Sequence, residues 1–153
     1  MPIFPVAKSL SVVMPCYNEE ATVLLCVEAV LNSEYVAELI IVDDGSTDGT
    51  RDLLANITDP RVNVILHEKN GGKGAALQTG FTHAKFDYVI VQDADLEYDP
   101  KDISLMFNKL SQNKDCLILG SRTLGKRDNQ NRYLITYIGN KYLTKLFSIV
   151  NKV

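Results

Sequence analysis

Five short apolar runs, at residues 10–14, 39–42, 62–66, 88–91 and 116–119, recur along the chain with amphipathic stretches between them. No other feature constrains the fold as strongly. The runs are nearly continuous in hydrophobicity, which predicts strands covered on both faces. Between them, Val23, Val27 and Val30 recur at helical spacing, and Ser46, Thr47 and Asp48 offer an N-cap ahead of Asp52, Leu53 and Leu54. Residues 72–84 form a third helical pattern, and residues 100–110 a fourth with Pro100 at its start. Strand alternating with helix predicts an α/β fold, a mostly parallel central sheet flanked by helices with right-handed crossovers.

The 153 residues, 46% hydrophobic and 23% charged, suit one domain with its own core. No uninterrupted apolar stretch approaches the ~20 residues of a membrane span. Residues 1–9 carry Pro2, Pro5 and Lys8 instead of the long apolar core of a secretory signal. Cys16, Cys26 and Cys116 are odd in number and lack metal-type spacing, so they read as reduced thiols in a cytoplasmic protein. His67 and His83 are too few and too far apart for a histidine metal site. The net charge of −3 hides an asymmetry: residues 122–153 hold seven Lys/Arg against one acid, and residues 1–121 hold nine against eighteen. An acidic body with a basic tail fits a metal-dependent body and a tail that meets anions, or simply a solvated basic helix. No nucleic-acid partner is expected.

In parallel α/β sheets, ligands bind beyond the carboxyl ends of the strands. Every run here ends in a polar motif. Pro15-Cys16-Tyr17-Asn18-Glu19 follows the first, Asp43-Asp44-Gly45-Ser46 the second and Asn70-Gly71-Gly72-Lys73-Gly74 the third. Asp93-Ala94-Asp95-Leu96-Glu97 follows the fourth and Gly120-Ser121-Arg122 the fifth. Such motifs would share one rim.

Asp93 and Asp95 leave their strand on alternate residues, so they face one ligand only if the chain turns. Hard divalent cations such as Mg²⁺ take one or two carboxylates plus substrate phosphates, and Glu97 can complete the set. The competing reading makes Asp95 a helix cap and Asp93 a solvated side chain. In the second motif, carboxylates can accept hydrogen bonds from base or ribose, while Gly45 permits a tight bend and Ser46 or Asp48 caps a helix. In the third, backbone N–H groups at a helix start attract anions and Lys73 adds a point charge, although the segment also reads as a plain glycine turn. Its spacing is not that of a P-loop. Arg122, Arg127 and Arg132 suit phosphate recognition. From Leu134, the residues Leu134, Ile138, Tyr142, Leu146 and Ile149 follow one helix face. That face packs on its own domain or lies on a membrane surface.

Taken in order, these motifs resemble family 2 glycosyltransferases of the Rossmann-like GT-A fold, most nearly the dolichyl- or polyprenyl-phosphate mannose and glucose synthases. The likeness rests on residues 12–20, 41–50, 70–76, 92–100, 120–122 and 138–140. It implies that Pro15, Tyr17, Glu19, Val42 and Asp44 hold the nucleoside of a donor such as GDP-mannose or UDP-glucose; Lys73, as a point charge for an anion, joins them as a nucleotide-sugar-binding candidate. Asp93, Ala94, Asp95 and Glu97 would hold the diphosphate and Mg²⁺ or Mn²⁺. Arg122, with Arg127 or Arg132, would meet the phosphate of a polyprenyl lipid acceptor. Asp95 and Arg122 are then the catalytic candidates in an inverting hexose transfer at the cytoplasmic face of a membrane. Relatives continue with an acidic motif and an amphipathic or transmembrane tail, so by this resemblance the chain is one catalytic domain, 1–153, incomplete at its C-terminus. Other readings are a nucleotide-sugar-binding module without turnover, a transferase to a sugar hydroxyl, and a nucleotidyltransferase or phosphatase. The last lacks the expected glycine-rich loop or aspartate nucleophile after the first run.

Overall fold

A computed structural model describes residues 10–96, 98–100 and 102–110. The fifth apolar run, Cys116, Glu97, Arg122, Arg127, Arg132 and the helical pattern from Leu134 lie outside the described residues. The described elements run β1 (Leu10–Cys16), α1 (Val23–Leu31), β2 (Val36–Asp43), α2 (Thr50–Ala55), β3 (Val62–Leu66), α3 (Lys73–His83), β4 (Tyr88–Val91) and α4 (Asp102–Leu110). The four strands are all parallel, in the order β3-β2-β1-β4.

That order contains a reversal. The chain steps from β1 to β2 to β3 in one direction, then returns to place β4 on the far side of β1. Right-handed crossovers then put helices on opposite faces before and after the reversal. Val23, Cys26, Val27 and Val30 of α1 and Leu54 of α2 pack on one face, against Val12, Met14, Leu39 and Ile41. Ala76 of α3 packs on the other, against Val13, Ile40 and Val42. Gly80 lets α3 approach closely: a Cβ added there would lie 2.3 Å from Val13 Cγ1. Phe107 of α4 stacks on Tyr35 and meets Tyr88 edge-on, with ring centroids 4.9 and 5.6 Å away.

Two details correct the sequence-based expectations. Burial on both faces holds for β1 and β2, but β3 is mostly half-buried and Val89 and Val91 of β4 are each 39% exposed. Val89 and Val91 pair with Ser11 and Val13, so they share the α3 side of the sheet, where α3 itself sits over β1 and β2. The second detail is a buried polar tether that the pattern did not reveal. The Glu38 carboxylate accepts from Ser11 Oγ at 2.7 Å and from the Lys85 amide at 2.6 Å, while Ser11 Oγ accepts from the Phe86 amide at 3.2 Å. Buried polar groups need such partners, and here they fasten the turn between α3 and β4 to the sheet.

Pro15 fits inside a strand for a topological reason. Val13 O accepts from Gln92 N, so odd-numbered residues of β1 direct their backbone groups toward β4. The paired register of β4 ends at Val91, opposite Val13. The N–H that proline lacks would therefore point where the ladder has already stopped.

Candidate functional site

The reversal between β1 and β4 opens a crevice at the carboxyl ends of the strands, the usual ligand position in open α/β sheets. A cleft of about 280 Å³ occupies it. The end of β1 contributes Pro15, Cys16, Tyr17 and Glu19, and the end of β2 contributes Asp44. Asn70, Gly72 and Lys73 come from the β3–α3 connection, with Ala76 behind them, and Asp93, Ala94 and Asp95 come from the end of β4. A larger depression of about 470 Å³ on the outer side of α3 is lined by Gly74, Leu77, Gln78, Phe81 and Thr82 and brings no charged groups together. The chemistry belongs to the smaller cleft.

Asp43 and Asp44 separate as neighbours leaving a strand must. Asp43 is fully buried, and its Oδ2 accepts from Arg51 Nε at 2.7 Å and the Ser46 amide at 3.2 Å. Arg51 also donates to the carbonyl of His67, so this pair ties β2, α2 and β3 together. Asp44 faces the cleft as a hub. Its Oδ1 lies 2.7 Å from His67 Nδ1 and accepts from the Gly71 amide at 3.0 Å, and its Oδ2 accepts from the Gly72 amide at 2.7 Å. Burial pushes the Asp44 carboxyl upward, but the Gly71 amide, His67 and the Gly72 amide together outweigh it and hold the group below its ordinary 3.8. A carboxylate offers about four acceptor positions. Three are occupied, which leaves one for a ligand donor.

His67 is a site residue that sequence reasoning missed. Its Nε2 lies 2.9 Å from Thr79 Oγ1, so it bridges Asp44 to α3. The available signal was positional: Asp43 pairs with Leu66, and Asp44 and His67 each come next in line.

The glycine segment also differs from expectation. The amides of Gly71 and Gly72 do not stand open to an outside anion, because Asp44 is the anion they bind. Gly72 has φ +85° and Gly45 has φ +80°. A Cβ on Gly45 would lie 2.7 Å from the Asn70 nitrogen, so glycine there serves both the backbone angle and the close approach of the next loop.

The expected helix cap is met in part. Gly49 stands at the N-cap of α2 and has no side chain to offer, but Asp48 Oδ1 accepts from the Thr50 amide, the first of the helix, at 3.0 Å. Ser46, Thr50 and the other oxygen of Asp48 stitch the β1 loop in place. Ser46 Oγ accepts from the Asn18 amide at 2.9 Å, Thr50 Oγ1 from the Glu19 amide at 2.9 Å, and Asp48 Oδ2 from the Glu20 amide at 3.2 Å. Asn18, at φ +55°, returns the contact through Oδ1, which accepts from the Thr47 amide at 2.8 Å. Asparagine tolerates this left-handed conformation better than most residues. The stitching holds Tyr17 and Glu19 at the cleft wall.

At the end of β4 the chain turns, and Asp93 and Asp95 both line the cleft. Leu96 takes φ +61° in this turn, a left-handed conformation that costs a leucine about 1–2 kcal/mol. Such strain collects at functional sites. Buried Gln92 braces the turn by donating from Nε2 to the carbonyls of Asp93 and Tyr98, at 3.2 and 3.1 Å. Lys73 Nζ sits 2.7 Å from both oxygens of Asp93. Among the described residues no three His, Cys, Asp or Glu side chains gather as a metal site. Two hard carboxylates opening on one cleft still fit a Mg²⁺-type ion, which takes few protein ligands and completes its shell with phosphate oxygens and water.

Of the expected site residues, Pro15, Tyr17, Glu19, Asp44, Lys73, Asp93, Ala94 and Asp95 therefore share one cleft. Val42 does not line it, because its side chain is fully buried with Val13, Ile40 and Ala76. Cys16 and Cys26 are free and buried, as expected of core thiols. Burial first, and the carboxylates of Asp43, Glu19 and Asp48 after it, push the Cys16 thiol up to about 12. It is a neutral wall of the cleft rather than a nucleophile.

A parallel sheet with this reversal and an acidic crevice at its switch point is a doubly wound α/β architecture, and comparison with known proteins narrows it to the GT-A fold. Solved structures agree on the fold: S. aureus TarS 1-349 superposes with a TM-score of 0.62 at 18% identity, covering 77% of this chain and 40% of that one. A second TarS structure gives 0.55 at 23% identity, covering 67% and 20%. The chain belongs to glycosyl transferase family 2, whose profile matches residues 11–151. It is 34% identical over 152 residues to the undecaprenyl-phosphate 4-deoxy-4-formamido-L-arabinose transferase of Proteus mirabilis, covering 95% of this chain and 46% of that protein. It is 30% identical over 132 residues to a dolichyl-phosphate beta-glucosyltransferase of Trichomonas vaginalis, covering 76% and 40%. The chain thus spans less than half the length of these relatives. No helix among the described residues is long and apolar enough to cross a membrane.

Proposed function

We propose that the protein transfers a sugar, mannose or glucose, from a nucleoside diphosphate donor to a polyprenyl phosphate at the cytoplasmic face of a membrane, with inversion. One observation carries this reading: Tyr17, Glu19, Asp44, Lys73, Asp93 and Asp95, drawn from four separate strand ends, line a single cleft. The relatives named above have polyprenyl-phosphate acceptors but two different sugars, so acceptor chemistry is the firmer half of the proposal.

In this reading Tyr17 and Glu19 flank the nucleoside, and Asp44 gives its remaining acceptor position to a base or ribose donor. Asp93 and Asp95 would hold Mg²⁺ or Mn²⁺ for the diphosphate. The bound cation supplies Lewis-acid neutralisation of the leaving group. A phosphate acceptor has a second pKa of about 6, so its oxygen is already anionic near neutral pH and needs little general-base help. That suits a cleft whose nearest histidine, His67, is engaged by Asp44 and Thr79. Arg122, Arg127 and Arg132 are proposed to meet the acceptor phosphate. The test is calorimetry with UDP-glucose and GDP-mannose, with and without Mn²⁺, followed by transfer of labelled sugar to undecaprenyl phosphate. Metal-dependent binding and a labelled lipid product are expected. Binding without lipid product would leave only a nucleotide-sugar-binding module, and no binding would refute the reading altogether.

A further inference from the structure

Lys73 is the one lysine or arginine among the described residues that line the cleft, which it shares with the carboxylates of Glu19, Asp44, Asp93 and Asp95. Its ammonium lies 2.7 Å from each oxygen of Asp93. The two ends of this pair differ in setting. The Asp93 side chain is 15% exposed and that of Lys73 is 59% exposed, so a half-free cation reaches down onto a nearly buried anion.

Where Lys73 begins is fixed, although where its ammonium ends is not. It is the first residue of α3. The preceding glycines are held by Asp44 at 3.0 and 2.7 Å, and the helix is seated on Val13 at Gly80. The flexible four-carbon stem then lets the charge swing within a small radius. Asp93 cannot keep the ammonium at 2.7 Å and also accept a divalent cation without strong like-charge repulsion. A nucleoside diphosphate in the same cleft would offer the displaced ammonium a new anionic partner.

We propose that Lys73 is a tethered counter-cation. It neutralises Asp93 in the ligand-free protein, opposes entry of a divalent cation alone, and moves to the diphosphate when donor and cation enter together. This rests on the donor-site reading above and goes beyond it. Lys73 becomes the residue that makes cation binding depend on the nucleotide. Because coupling between ligands is reciprocal, each would then raise the affinity of the other.

The test compares the full chain with its Lys73→Met and Lys73→Arg variants, using Mn²⁺ alone, UDP or GDP alone, and the two together, by calorimetry. Circular dichroism establishes that each variant is folded. Lys73→Met is expected to bind Mn²⁺ alone about two- to fivefold more tightly, the range set by a partly exposed ion pair. The same variant should bind the nucleotide with Mn²⁺ more weakly than wild type, and Lys73→Arg should restore wild-type Mn²⁺ affinity. Opposite signs for the two ligands are what a merely structural lysine would not produce. If folded Lys73→Met binds Mn²⁺ no more tightly than wild type, the proposal is overturned. Failure of the donor-site reading shows up separately, as wild-type protein that binds neither UDP nor GDP when Mn²⁺ is present.

Discussion

Replacing Gly80 with alanine sets two effects of similar size against each other. In an open helix the change is favourable by about 1 kcal/mol, because glycine loses more backbone entropy on folding. Here the new methyl would lie 2.3 Å from Val13 Cγ1 and 3.3 Å from Val13 Cβ and Cγ2. The first distance is more than an ångström inside normal carbon–carbon contact of about 3.5–4.0 Å. Val13 is fully buried on a central strand and β-branched, so it has little freedom to turn away. Overpacking of this kind costs about 1–3 kcal/mol, and a contact this short lies toward the upper end. The net expectation is destabilisation by about 1–2 kcal/mol, measured by urea denaturation followed by circular dichroism. Lifting α3 off the sheet also moves Lys73, so nucleotide affinity should fall with stability. Val13→Ala removes the colliding methyl, and the double variant should be more stable than the two single losses added together. A stabilised Gly80→Ala protein, or strictly additive single losses, would show that α3 is not seated on Val13 in this way.

Asp44→Ala removes the acceptor of three donors and should cost about 2–4 kcal/mol in urea denaturation, discounted because water reaches part of the glycine loop. The Asp44 carboxyl is held below 3.8, so its contribution is present above that pH and disappears as pH falls through the folded-state value. An acid titration of Asp44→Asn should lack that component, and an unchanged acid limb would contradict the hub. Cys16 behaves in the opposite sense. Its thiol rises from 9.0 to about 12, so the folded state is favoured below pH 9 and loses that advantage between about pH 9 and 12. Native protein at pH 8 should resist iodoacetamide at Cys16 and react quickly in urea, and equal rates would rule out the buried neutral thiol.

Much of this arrangement could be read from periodicity and punctuation. The apolar runs located all four described strands, because a sheet buried between helices needs them. The helix expected over 72–84 appears as Lys73–His83, since Gly72 at φ +85° cannot continue a helix backward. What escaped the sequence was pairing across distance. Ser46 obeys the local grammar of a helix cap, yet the β1 loop claims it from 28 residues away, and Asp48 divides its oxygens between the first amide of α2 and that same loop. His67 looked isolated because its partner Asp44 lies 23 residues earlier, and only the β2–β3 register joins them. Lys73 and Asp93 are 20 residues apart and meet because β4 returns beside β1. The part-exposed flank of β4 was likewise invisible, since Val89 and Val91 are as apolar as any core residue and nothing in the pattern says that α3 sits over β1 and β2.

The proposed donor site requires one ligand that touches both the β2 end and the β4 end of the sheet. Titration of UDP and GDP in the presence of Mn²⁺ into wild type, Asp44→Asn and Asp95→Asn addresses this directly. Tight, metal-dependent binding to wild type is expected with at least one of the two nucleotides. For that nucleotide, affinity should fall by about tenfold or more in each variant, a loss of roughly 1.4 kcal/mol, and the metal dependence should vanish in Asp95→Asn. Wild-type affinity in either folded variant would mean that the two carboxylates do not serve one site.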